Sequence, residues 1–161
     1  IISFVKKTGV FYQDVPFSLS ESYKVLDENF PNSKFILTVR DTPEEWYNSY
    51  VNFHSKLFGE NGKLPTYEDL KNITYVEKSY TWNNIKAVFP GITKENPYEE
   101  KIFKAQYIKH NTDVIKYFEG RENQLLVVNL GDSDAQQKIA DFFKLDVNSI
   151  EIPWENKTAE I

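Results

Sequence analysis

The chain has 161 residues, 40% hydrophobic and 16% aromatic, with no cysteine and 24 acidic against 19 basic side chains, for a formal charge of −5. Length and aromatic content suit one domain with a packed core and exclude an intrinsically disordered segment. The acidic balance speaks against general nucleic-acid binding but leaves room for a local basic pocket holding one nucleotide, and the lack of cysteine removes disulfides, thiolate zinc sites and cysteine nucleophiles.

In chain order, IISFVKK at the start reads as helix, because Ile1, Ile2 and Val5 recur at helical spacing. Phe11 to Val15 reads as a short strand, and Ser18 to Glu21 as a capping box opening a helix to about Asn29 with Leu19, Tyr23 and Leu26 on one face. Phe30-Pro31-Asn32-Ser33 turns the chain into a second strand, Lys34 to Val39, so the unit is expected to be a right-handed βαβ crossover. Thr42-Pro43-Glu44-Glu45 supplies an N-cap, a first-turn proline and a capping-box glutamate for a helix from Pro43 to Phe58. Trp46, Ser49, Tyr50, Phe53 and Leu57 fall on one side of that helix.

After the polar loop Gly59 to Lys63, the stretch from Leu64 to about Phe89 reads as helical, opened by Pro65-Thr66 with Asp69 three residues past the cap. Pro90-Gly91 and Asn96-Pro97 bound a mobile connector, and a long helix runs from about Pro97 to Phe118, ending near Gly120. Gln124 to Leu130 is the third strand, its LLVVN core expected to be buried on both faces, and Asp132 or Ser133 caps a last helix to about Lys144. The expected architecture is a three-layer α/β/α domain with a parallel sheet and a helical insertion, residues 64–118, between strands. Such an excursion serves either as a cover for a substrate or as packing alone. No run approaches the ~18 apolar residues that cross a bilayer and no leader pattern opens the chain, so a soluble, cytoplasmic protein with no membrane partner is expected.

Chemistry concentrates at Arg40, one of only two arginines against seventeen lysines. It stands where a strand ends and a capped helix begins. Amide N–H groups and the positive end of the helix dipole are expected to gather there, and a guanidinium beside them can grip a phosphate or sulfate through two parallel hydrogen bonds. The other reading is an Arg40–Asp41 surface pair, or an arginine salt-bridged within the fold.

The run FPNSKFILTVRD followed by Trp46-Tyr47-Asn48-Ser49 resembles the 3′-phosphate-binding segment of sulfotransferases that use 3′-phosphoadenosine 5′-phosphosulfate (PAPS). In that family a strand-end arginine and a serine one to two turns into the next helix hold the donor's 3′-phosphate, which carries over to Arg40 and Ser49. The family's usual spacing is one residue shorter, so the Asp41-Thr42-Pro43 connection repositions the serine. Tyr107 with His110-Asn111 and Val114 resembles a late helix of the family's bacterial and marine branch. PWENKT, Pro153 to Thr158, resembles its C-terminal loop; with QDVPF near the start, the similarity spans most of the chain. The resemblance implies a P-loop NTPase-like fold, PAPS as donor, and a small-molecule or carbohydrate acceptor.

The family also binds the 5′-phosphosulfate with a loop of Lys/Arg-Ser/Thr-Gly-Thr-Thr/Ser type. Lys7-Thr8-Gly9 is followed by Val10-Phe11 instead of small hydroxyl residues, so this loop, with its strand, is expected to lie upstream of the given sequence. In the family that strand lies between the one carrying Arg40 and the LLVVN strand.

Sulfuryl transfer needs a base for the acceptor proton. Asp14 is the first candidate, since it ends a strand at the carboxyl edge where ligands bind in open α/β sheets, although it can equally cap the following helix. His54 is the second, set against its reading as an ordinary surface histidine on a face with Tyr47 and Val51. His110 is either an acceptor-site residue or a buried, hydrogen-bonded histidine. Trp154 could stack on adenine, and Asn156 and Lys157 could reach the nucleotide, the alternative being a proline-led surface loop. No metal is expected, because the two histidines stand 56 residues apart with no acidic cluster at ligand spacing. No Gly-x-Ser-x-Gly elbow occurs either. The rival readings are a nucleotide or nucleoside kinase-like P-loop protein and a noncatalytic interaction domain that retains the fold.

Overall fold

A computed structural model describes residues 11–13, 16–17 and 19–152. Among them the elements run α1 Ser22–Asn29, β1 Phe35–Thr38, α2 Pro43–Phe58, α3 Tyr67–Asn72, α4 Tyr80–Val88, α5 Glu100–Tyr117, β2 Leu125–Val128 and α6 Ala135–Phe143, with 3-10 turns at Glu60–Gly62 and Val147–Ser149. β1 and β2 pair in parallel, Phe35 opposite Leu125 and Thr38 opposite Val128. Parallel neighbours need a long crossover, and helices α2 to α5 supply it. The fold is therefore α/β as expected: a small parallel sheet flanked by helices, consistent with a three-layer α/β/α arrangement carrying helical insertions.

The sheet departs from the sequence reading in three ways. Phe11, Tyr12 and Gln13 belong to no strand, and the rest of that expected strand, Asp14 and Val15, lies outside the described residues. β1 bonds directly to β2, which leaves no place for a strand between them. LLVVN is not buried on both faces: Val127 is 39% exposed while its neighbour Val128 is buried, because the described sheet has only two strands and their helices cover it unevenly.

Helix boundaries follow local chemistry. α2 begins and ends where the cap and the glycine place it, with Thr42 Oγ1 accepting the Glu45 amide at 3.1 Å and Gly59 at the C-cap. α1 starts at Ser22, a turn later than expected, because Ser20 adopts a positive φ of 40° and Glu21 takes the cap position without a side-chain bond. The expected helix from Leu64 to Phe89 is two helices. Thr66 and Asp69 form a reciprocal capping box that opens α3, but the β-branched run at Ile73, Thr74 and Val76 favours extended backbone. Thr74 and Lys78 form an isolated antiparallel bridge, and Ser79 turns left-handed at φ 66° before α4. In α6 the carboxylates of Asp132 and Asp134 both pair with Lys138 instead of capping, so the helix opens at Ala135.

Two cores result, and α5 spans both. Its N-terminal half sends Phe103, fully buried, among Leu70, Ile85, Phe89, Ile92 and Tyr98, with Trp46, Tyr47, Tyr50 and Val51 of α2 packed around them. Its C-terminal half sends Val114 toward Tyr23, Leu37 and Phe118 under the sheet. The connector expected to be mobile is instead pinned, since both Ile92 and Tyr98 are buried in the first core.

Candidate anion site at the strand ends

β1 and β2 end side by side, and Arg40, Asp41, Asn129 and Gly131 gather just past their last paired residues. Between the two cores, Tyr107 of α5 lies flat on Trp46 of α2, ring centroids 4.6 Å apart and planes 14° from parallel. The stack holds the Tyr107 hydroxyl against the strand end, where it accepts the Arg40 backbone N–H at 2.9 Å. The backbone at Arg40 is thus fixed by a residue 67 positions away in sequence.

The side chains sort themselves next. Asp41 does not pair with Arg40; its carboxylate accepts the Asn129 side-chain amide at 2.7 Å, and Asn129 Oδ1 accepts the Gly131 N–H at 3.0 Å. This bridge ties the two strand ends together. A methyl group on Gly131 would stand 3.3 Å from Asn129 Oδ1, a tight contact, and 4.0 Å from Arg40 Nη1, an ordinary one, so the glycine makes room for the Asn129 turn and the guanidinium lies beside it. Among the described residues that guanidinium has no acidic partner. The contrast with Arg121 is sharp: there the guanidinium is bonded to buried Asp27 at 2.7 Å, to Gln124 and to the Tyr117 carbonyl. One arginine serves the fold, and the other is held out with its charge uncommitted.

The helix N-terminus contributes less than its sequence suggests. Thr42 takes the Glu45 amide with its hydroxyl and the Trp46 amide with its carbonyl, and Glu44 and Glu45 set the protein's own negative charge in the first turn. Glu44 also pairs with Lys104 at 2.6 Å, which holds its carboxyl below the usual range. The anion-binding capacity of this joint therefore rests on the guanidinium, with the helix dipole already offset.

A family model described as "Sulfotransferase domain" matches residues 11–161. The chain belongs to the sulfotransferase family. Among curated proteins no sequence matches. In this sulfotransferase domain the matched span includes the β1–α2 joint and the Arg40 site.

The remaining candidates separate in space. Ser49, seven residues past the Thr42 cap, is half-buried in α2 and has no hydrogen-bond partner among the described residues. Seven residues are about two turns, which returns Ser49 to the helix face of the cap roughly 10 Å along the axis. His54 is not a surface residue. It is buried at the far end of α2, stacked on Tyr50 at 4.2 Å and joined through Nδ1 to the Tyr98 hydroxyl at 2.8 Å. Burial pulls its pKa down to about 4 and pushes the Tyr98 hydroxyl up, so both are neutral near pH 7. The aromatic side that Tyr47 and Val51 share is the core side, which is why the histidine beside them is buried. His110 is half-buried, its ring edge-on to Tyr23 at 6.3 Å, with burial lowering its pKa. Asp14, Trp154, Asn156 and Lys157 lie outside the described residues.

Sequence reasoning missed Asn129 and Gly131. Their signal was a polar residue and a glycine directly after an apolar strand, the place where a parallel sheet presents its carboxyl edge. Among the described residues no group of three or more His, Asp or Glu side chains could hold a metal ion, and no helix is long and apolar enough to cross a membrane.

Proposed function

We propose that this domain transfers a sulfuryl group from PAPS to a hydroxyl or amine acceptor, a small molecule or a carbohydrate. The supporting observation is the uncommitted guanidinium of Arg40 at the carboxyl end of β1, its backbone fixed by Tyr107 and its side chain lying along Gly131. In this reading Arg40 grips the donor's 3′-phosphate with paired N–H bonds and Ser49 adds a hydroxyl from α2. Trp154 stacks on the adenine while Asn156 and Lys157 close on the nucleotide. Asp14 takes the acceptor proton as the acceptor oxygen or nitrogen bonds to sulfur and the bond from sulfur to the bridging phosphate oxygen breaks, its electron pair staying on that oxygen and releasing 3′,5′-adenosine bisphosphate. Helices α3 to α5 cover the acceptor, with His110 facing it. His54 has no part in this scheme, since a buried neutral imidazole bonded to Tyr98 cannot exchange a proton with a ligand at the strand ends.

Calorimetric titration with 3′,5′-adenosine bisphosphate tests the reading. Binding to the wild-type chain and its loss in Arg40→Ala are expected, with Ser49→Ala weaker by several-fold. A wild-type chain that does not bind would favour a noncatalytic domain, and binding that needs a triphosphate with magnesium would favour a kinase-like one.

A further inference from the structure

α5 carries a second pattern, on the side away from both cores. Lys101, Ala105, Ile108, Thr112, Ile115 and Glu119 follow one another at steps of four, three, four, three and four, the spacing of a two-helix seam, with Ala105, Ile108 and Ile115 apolar and a charge of opposite sign at each end. All six are exposed, Ile108 at 51% and Ile115 at 48%. Phe103, Tyr107, Val114 and Tyr117, which enter the two cores, fall on the opposite side of the helix. A single exposed isoleucine is ordinary on a protein surface, but Ile108 and Ile115 stand one heptad apart on the same line, and neither core among the described residues uses them.

We propose that this seam pairs with the same seam of a second copy of the chain, antiparallel, about a two-fold axis at the level of His110. Position sums then match throughout: Lys101 meets Glu119 of the second copy, Ala105 meets its Ile115, and Ile108 meets its Thr112. The charges set the direction. Lys101 stands in the first turn of α5 and Glu119 just past its end, each with the wrong sign for its own helix dipole. Antiparallel pairing moves each beside the opposite terminus of the neighbouring helix, where its sign is favourable, and also makes two Lys101–Glu119 contacts. Parallel pairing would set lysine on lysine. Sizes agree as well, the small Ala105 opposite the larger Ile115. Lys109, which flanks the axis, is already neutralised by Asp113 at 2.5 Å and adds little repulsion. A symmetric, self-complementary patch of this kind is the isologous contact of a two-fold dimer.

Sedimentation equilibrium from micromolar to millimolar concentration tests this. The wild-type chain is expected to show a monomer–dimer equilibrium, and a chain carrying Ile108→Glu and Ile115→Glu to stay monomeric with unchanged circular dichroism. Lys101→Glu alone, or Glu119→Lys alone, is expected to weaken self-association about threefold to tenfold, because each breaks both symmetric pairs, and the two together to restore it. The proposal is overturned if the wild type is monomeric throughout, if the isoleucine variant still dimerises, or if the combined charge reversal fails to recover what the single reversals lose. A face kept for a different partner would give the first of these results.

Discussion

The hydroxyl of Tyr107 accepts the backbone N–H of Arg40 at 2.9 Å, so the helix that joins the two cores also fixes the strand end that presents the guanidinium. Tyr107→Phe removes this bond together with the longer one, 3.5 Å, that the hydroxyl donates to the Arg40 carbonyl, and leaves the ring stacked on Trp46. A net hydrogen bond contributes about 0.5 to 1.5 kcal/mol, which corresponds to roughly a threefold to tenfold change. The expected outcome is a small drop in melting temperature, about 2 to 4 °C per kcal/mol for a chain of this size, and a loss of affinity for 3′,5′-adenosine bisphosphate no larger than that factor. An unchanged affinity would show that the Arg40 backbone holds its place without the tyrosine.

The two arginines are predicted to respond oppositely to removal. Arg121→Ala leaves the carboxylate of Asp27, 8% exposed, without its ion-pair partner, and Oδ1 of that carboxylate already has no hydrogen-bond partner. Uncompensated buried charge destabilises strongly. Thermal denaturation is expected to show a clear drop in melting temperature for Arg121→Ala and almost none for Arg40→Ala. Equal drops would mean that Arg40 also serves the fold.

His54 gives the stability a pH dependence. Its pKa is lowered by burial from 6.5 to about 4 in the folded chain. Between those values the unfolded state binds the proton that the folded state refuses. Stability contributed by the neutral histidine is therefore full above about pH 6.5, falls as pH drops toward 4, and is gone below it, amounting to about 3 kcal/mol at roughly 1.4 kcal/mol per unit. His54→Gln keeps a hydrogen-bonding side chain beside Tyr98 without titrating. Urea denaturation at pH 7 and pH 4.5 is expected to show a smaller difference between the two pH values in this variant than in the wild type.

What the sequence disclosed is what local chemistry decides. The cap at Thr42, the proline at Pro43 and the glycine at Gly59 bounded α2 to the residue, and the Thr66–Asp69 box placed the start of α3. The parallel α/β class and the position of Arg40 between strand and helix were legible for the same reason. Long-range pairing was not. Nothing local says that Asp41 will bond to Asn129, 88 positions away, or that the strand ends will be neighbours. His54 was misjudged because one helix presents apolar residues on two adjoining faces, and only the partner α5 decides which is buried.

The central claim is that the Arg40 guanidinium binds the 3′-phosphate of an adenosine nucleotide, and matched titrations of 3′,5′-adenosine bisphosphate and adenosine 5′-monophosphate into wild type and Arg40→Ala test it most directly. The account predicts that wild type prefers the bisphosphate and that Arg40→Ala loses this preference while binding the monophosphate as the wild type does. A preference that survives in Arg40→Ala would contradict it.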